Sequence, residues 1–430
     1  MSTTRARPTS KPKDPLGGNY WRLLIASAVS NLGDGIIRTV IPLLAITLTR
    51  DPVLVGALTA LAFLPWLLFA IPSGALVDRM DRRRAMSLAN LLRAVVIGGL
   101  IAAIAAGQVN MVVLYAVTFV LGMAETVYDS AARAMLPQVV RRDQLDRANG
   151  PLTSAEIVTE TFLGAPIGSF LFAWLVVAPF LTGALGYLLA AVLILSLVGN
   201  LRPGREGNRE SGTATATMRA DIAEGLRWLR DHHLLRALAV LSGLTAAAHT
   251  MANAVLVLYV VDTLDVPESA FGVFLVSAGL GGLLGGLCAA WLSRRAGRIT
   301  TMIVSAVFCA VANVGMGLTD AAWLGAALFG LVGVSVSIWN VLVMSLRQAL
   351  IPEQLFGRVQ GAYRTLVWGM IPLGALVGGV VAGVTSVPTT FVISGVLQLL
   401  LAVMCLQLFR RHRGQIEAAH LPDAERATAD

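Results

Sequence analysis

The chain has 430 residues, of which 56% are AVILMFWYC, about 240 positions, and only 13% are charged. A soluble globular chain carries about 25% charged residues, so an ordinary soluble protein is excluded. A bilayer-spanning helix uses roughly 20 apolar residues to cross about 30 Å of hydrocarbon, and about 240 apolar positions therefore amount to about twelve crossings.

A mean hydropathy of +0.74 and 42 glycines agree with that count, since small residues let membrane helices approach closely. A β-barrel does not fit, because barrel strands alternate apolar and polar positions and the apolar runs here are continuous. The 33 Lys and Arg against 25 Asp and Glu leave a net charge of +8. These basic residues sit in short loops, where membrane orientation explains them and a nucleic-acid partner is not needed.

The first eighteen residues are polar, basic and proline-rich, with no apolar core and cleavage site. Residues 1–19 read as a disordered cytoplasmic tail, not a signal peptide. Six apolar runs follow at 21–48, 53–77, 86–106, 110–136, 149–174 and 176–200, giving a first six-helix bundle over 20–200. The longest polar segment, 201–233, is the linker. Ile222, Leu226 and Leu229, with Trp228 beside them, give its end the spacing of a short amphipathic helix, either an interfacial regulator or a strut under the bundle. Six more runs, at 234–261, 268–292, 299–318, 321–346, 359–385 and 388–409, make a second bundle over 234–410, and 411–430 read as a second disordered tail. With the N-terminus in the cytoplasm, Arg50 is the only basic residue in an outer loop, so the positive-inside rule puts both tails in the cytoplasm. The expected location is the plasma membrane. The fold class is all-α membrane, twelve helices in two pseudo-symmetric halves. Leu136-Pro137 with Gln144-Leu145, Arg147 and Gly150 echoes Ile351-Pro352 with Gln354-Leu355, Arg358 and Gly361, and two such repeats place a substrate cavity between them near mid-bilayer.

Ionisable groups inside the spans are costly and so mark cavities or partners. Asp34 and Arg38 stand four apart in the first span, on one helical face. They are either a self-satisfied pair or part of a site. Glu125, Asp129 and Arg133 repeat that spacing in the fourth span, with Glu125 near mid-depth and the other two near the inner end. Glu156 and Glu160 form an acid pair with no base in their own helix. Either their mutual repulsion makes one a proton carrier, or an arginine from another helix, such as Arg38, neutralises them. His249, with Asn253 one turn on, is either hydrogen-bonded packing or a proton switch. Trp339, Asn340 and Trp368 lie near mid-depth, facing a cavity for an amphipathic ligand or facing lipid. Arg93 and Arg364 sit close enough to span ends that snorkelling is expected. Cys288, Cys309 and Cys405 have neither disulfide nor metal spacing. No phosphate-cradling GxxxxGK is present, and no metal or cofactor is expected.

The segment from Gly74 to Arg84 joins the second and third spans, with Asp78 placed to cap a neighbouring helix and Arg79 and Arg82 to pair with acids such as Asp129 at helix ends. It resembles motif A of the major facilitator superfamily, with Asp81 where a glycine is expected. The resemblance implies a gating latch formed by Gly74, Asp78, Arg79, Arg82, Asp129 and Arg133. Gly164-Ala165-Pro166-Ile167-Gly168 is similar to the family's antiporter motif C, with Ala165 in place of the second glycine. Asn31-Leu32-Gly33-Asp34-Gly35, Asp51-Pro52 and the stretches 136–150, 223–238 and 351–361 resemble the branch of enterobactin exporters and macrolide efflux pumps. That likeness implies a monomeric secondary transporter, with lipid around it, that exports an amphipathic small molecule such as an antibiotic or siderophore in exchange for protons. A proton-independent facilitator or an importer is the alternative, and a sensor or a membrane-embedded enzyme the more distant ones.

Overall fold

The computed structural model describes residues 16–77, 79–198 and 224–418. Residues 1–15 and 419–430 of the expected tails, most of the linker, Ile222 and Asp78 therefore lie outside the described residues. Within the described parts of the tails, Gly18 and Asn19 begin the first helix, and Arg413–Ala418 form a short helix with Ile416 buried. Among the described residues twelve helices are long and apolar enough to span a membrane. They are α1 (Gly18–Leu48), α2 (Pro52–Val77), α3 (Arg82–Ala105), α4 (Met111–Val139), α5 (Arg147–Trp174), α6 (Val177–Leu195), α7 (His233–Thr263), α8 (Phe271–Ala296), α9 (Arg298–Leu318), α10 (Ala322–Leu350), α11 (Glu353–Val384) and α12 (Val387–Arg411). The chain is a multi-pass membrane protein.

Their ends follow from local chemistry. Asp81 caps α3 by accepting from the amides of Arg83 and Arg84, Asn110 caps α4 through the amide of Val113, and Ser386 caps α12 through that of Thr389. Two helices are irregular. In α5 the stretch Val158–Gly164 is π-helical, just before Pro166, which has no N–H to return to the preceding turn. In α7 the helix breaks after Asn253 and resumes through Leu256–Leu258 into a π-helical turn, Tyr259–Thr263.

The packing repeats with a shift of six. Helix α1 lies against α5 and α6, α2 and α6 lie respectively against α4 and α3, and α3 lies against α4; likewise α7 against α11 and α12, α8 against α10, α9 against α12 and α10. The two seams between halves obey the same shift, α5 on α8 and α11 on α2. At the end of the bundle away from the termini these seams are closed by backbone. A Cβ on Gly272 would come 1.9 Å from the Ala165 carbonyl oxygen, and one on Gly379 2.7 Å from that of Pro52. Arg50 also pairs with Asp262 across the seam at 2.6 Å.

The helical segment 224–231 packs under the second half. Leu229 is buried, Trp228 stacks on His232 at 5.0 Å, and Glu224 binds Arg358 at 2.6 Å, while Leu226 is exposed. The contact set is that of a strut, and the expected apolar face holds for Leu229 but not for Leu226. The reason is Gly225, whose missing side chain lets the segment turn against the Arg358 carbonyl.

Candidate functional site

The ionisable residues of the first half separate into two clusters that share α1. The first is closed. Arg93 is 1% exposed, and its Nη1 donates to Asp34 Oδ2 at 3.2 Å, to Asn90 Oδ1 at 3.3 Å and to Ser30 Oγ at 3.4 Å. Tyr187 donates to Asp34 Oδ1 at 2.8 Å, and the rings of Tyr128 and Tyr187 lie 5.0 and 5.4 Å from the guanidinium. Arg93 therefore does not snorkel as expected. Its side chain runs inward, where a carboxylate, two polar oxygens and two aromatic faces surround it, with Nη2 left buried and without a hydrogen-bond partner among the described residues. Asp34 correspondingly takes Arg93, not Arg38, as its ion-pair partner.

The second cluster is open. Arg38 donates through Nη2 to Glu125 at 2.8 Å and through Nη1 to Glu160. Its side chain is 58% exposed, against 26% for Glu125 and 23% for Glu160. Helix α1 touches α2, α4, α5, α6 and the Leu256–Leu258 part of α7, so it has neighbours in both halves. The exposure of Arg38 is to internal space between them. The approach of α1 to α5 that makes the triad requires Gly35: a Cβ there would lie 2.2 Å from the Glu160 carbonyl oxygen. Gly164 faces Gly35 in the same contact and Gly168 packs on the backbone of Ile36, so the motif C segment seats α5 on α1. Of the two readings of the acid pair, Glu160 fits neutralisation by a cross-helix arginine. Glu156 is exposed, and among the described residues it forms no ion pair.

A cavity of about 550 Å³ lies mainly in the second half, lined from α7, α9, α10, α11 and α12, with Arg133 of α4 at its rim. His249, Trp339, Asn340 and Trp368 all line it, so the tryptophans face the cavity and not lipid. His249 and Asn253 bond to each other at 2.7 Å and share a smaller cavity of about 390 Å³ with Asn340. Three cavity residues were not legible as such. Arg364 stacks on Trp368 at 4.2 Å and on Trp66 of α2 at 5.6 Å, which overturns the snorkelling expectation, and the two tryptophans meet edge to face at 5.3 Å across the seam. Arg347 lies 4.1 Å over the ring of Tyr363. Arg347 falls at the end of its apolar run, where it reads only as a loop charge.

The expected latch differs in its contacts. Nothing lies within 4 Å of a Cβ placed on Gly74, so that glycine is not set by close helix packing there. Asp81, standing where the motif has glycine, is the residue that caps α3. Asp129 pairs with Arg133 one turn on, at 3.4 Å, and among the described residues Arg79 and Arg82 have no acidic partner.

A family model for the Major Facilitator Superfamily matches residues 23–371. The chain is 27% identical to the multidrug efflux pump Tap of Mycolicibacterium fortuitum, over 90% of this chain and 95% of that protein. It is 24% identical to macrolide efflux protein A of Streptococcus pyogenes, over 90% and 96%, and 25% identical to the enterobactin exporter EntS of Shigella boydii serotype 4, over 92% and 94%. Among solved structures, the nucleoside transporter NupG superposes with a TM-score of 0.73 at 15% identity, over 91% of this chain and 99% of that one. A bacterial homologue of the iron transporter ferroportin in an inward-facing state gives 0.70 at 18%, over 93% and 99%. Twelve spanning helices, a packing that repeats with a shift of six, and a family match across both halves lead to one conclusion: the chain belongs to the Major Facilitator Superfamily and is a membrane transporter.

Proposed function

We propose that the protein exports an amphipathic small molecule from the cytoplasm in exchange for protons, by alternating access between its two halves. The observation that carries this is the Arg38, Glu125 and Glu160 triad. Two carboxylates share one guanidinium in solvent-accessible internal space, so protonating either acid releases one arm of the arginine and changes the contact between α1, α4 and α5. Efflux pumps and a siderophore exporter among the relatives support the outward direction. With the termini in the cytoplasm of the plasma membrane, as the distribution of Lys and Arg favours, the closed seam is the outer gate and the 550 Å³ cavity opens inward. The 74–84 segment then lies on the cytoplasmic side as a latch between α2 and α3. The protein acts as a monomer.

The test is flux in proteoliposomes with Glu125→Gln and Glu160→Gln. Each is expected to lose gradient-driven uphill transport and keep downhill counterflow of the same substrate. Full pH-dependent uphill transport in both would overturn the coupling. Asp78→Asn should slow transport at unchanged abundance, and wild-type flux in that variant would remove the latch. A cysteine near residue 5 or 425 should resist an impermeant label added to intact cells, and labelling of either would invert the topology.

A further inference from the structure

The second-half cavity has a one-sided charge inventory. Its ionisable lining consists of Arg133, Arg347, Arg364 and His249 with two cysteines and Tyr363, and contains no aspartate or glutamate. Arg133 has its own acid, Asp129. Arg347 and Arg364 do not: among the described residues no carboxylate lies within ion-pair distance of either. Arg347 Nη2 donates to the Met344 sulfur at 3.5 Å, its Nε is buried with no hydrogen-bond partner, and the Tyr363 ring covers one face. Among the described residues Arg364 is held by the faces of Trp368 and Trp66.

An uncompensated guanidinium inside a membrane protein is costly, and such groups mark ligand pathways. In the first half every deeply placed arginine has a carboxylate, so the protein meets this cost with its own acids where no ligand is involved. Aromatic faces hold the two second-half arginines in place, and the Met344 sulfur takes one N–H of Arg347; a planar guanidinium presents its donors in pairs that match a carboxylate, sulfonate or phosphate. Next to them, Trp339 and Trp368 supply flat apolar surface, and a cavity of about 550 Å³ falls in the range of about 300–1,000 Å³ that receives drug-sized molecules.

From this we infer that the cargo is an organic anion with a planar, apolar body, its acidic group bound by Arg347 and Arg364 and its rings laid against Trp339 and Trp368. The inference rests on this cavity being the transport path and assigns it a substrate class. The missing countercharge is the substrate's own.

The experiment compares two xanthene dyes of similar ring body and opposite charge, fluorescein and rhodamine 6G, binding to the purified full-length protein in a neutral detergent without any proton gradient. Fluorescence anisotropy is expected to give fluorescein at least a tenfold tighter Kd. Equal or tighter binding of rhodamine 6G overturns the proposal, and that comparison needs no variant. Arg347→Gln and Arg364→Gln, each checked for monodispersity, should each remove most of the preference, and Arg364→Lys should retain part of it. A control at the exposed Arg294, Arg294→Gln, should leave it intact. Fluorescein binding that is insensitive to both glutamine variants also overturns it. The same anion chemistry exists in lipid headgroups, so the measurement is repeated in nanodiscs of phosphatidylcholine with and without phosphatidylglycerol. Undiminished fluorescein binding supports a soluble anion, and displacement by phosphatidylglycerol transfers the site to lipid and overturns the cargo assignment. Because no gradient is present, selective binding without gradient-driven flux would defeat proton coupling and leave this inference standing. Flux of a cation without anion preference would do the reverse.

Discussion

Asp34 and Arg38 are one turn apart on α1, yet they belong to different machines. Asp34 looks toward α3 and α6 and is locked to Arg93, Tyr187 and their polar neighbours in a cluster whose arginine is buried. Arg38 looks toward α4 and α5 and is shared by Glu125 and Glu160 in accessible space. The ingredients are the same, an arginine and an acid in the first half. Access to the guanidinium sets them apart, 1% exposed for Arg93 against 58% for Arg38, while the carboxylates differ less, 15% for Asp34 against 23% and 26% for Glu160 and Glu125. Helical spacing indicates which residues share a face, and the neighbouring helices decide which of them become partners.

The sharpest way to break this contrast is Arg93→Met. Removing one member of a buried pair leaves the Asp34 charge uncompensated, at a cost of about 3–5 kcal/mol. We expect large loss of folded protein in detergent, read by thermal unfolding, and substantial recovery when Asp34→Leu is added. An unchanged melting temperature in the single variant would show that the closed cluster carries no structural load. Next in size is Gly35→Val, which drives a branched side chain into the Glu160 carbonyl. Overpacking of this kind costs about 1–3 kcal/mol, and the variant should also lose transport because α5 no longer reaches α1. Arg38→Gln should be milder on stability, with a melting temperature within a few degrees of wild type, but should abolish the pH dependence of transport. If Arg38→Gln instead unfolds the protein as Arg93→Met does, the two clusters are not different in kind. The smallest effect belongs to Arg50→Gln. Exposed ion pairs are worth about 0–1 kcal/mol, so loss of the Asp262 contact should leave stability unchanged and only raise labelling of a cysteine placed at the outer seam.

The sequence was legible where the argument depended on length and periodicity. All twelve runs are helices, and the run expected at 53–77 is Pro52–Val77. It was less legible wherever a partner comes from another helix. Arg93 lies inside an apolar run and reads as an interfacial cation, because nothing along the chain reveals that Asp34, Tyr128 and Tyr187 converge on it. Arg347 and Arg364 similarly read as charges at span ends, and only the tertiary arrangement shows aromatic rings where acids would be expected. Asp81 was the reverse case: a departure from the family motif that has its own explanation in the start of α3.

The far-end seam has a consequence for how the protein tolerates sequence drift. Gly272 and Gly379 meet opposing backbone there with no side chain of their own. Every substitution at these two sites adds volume, and none can trim it. Mutational pressure on the seam therefore acts in one direction, prising that end apart. An alanine scan, designed to delete contacts, would at these positions insert a wedge, and a loss of function there would report the fragility of one conformer over the other and not the removal of an interaction.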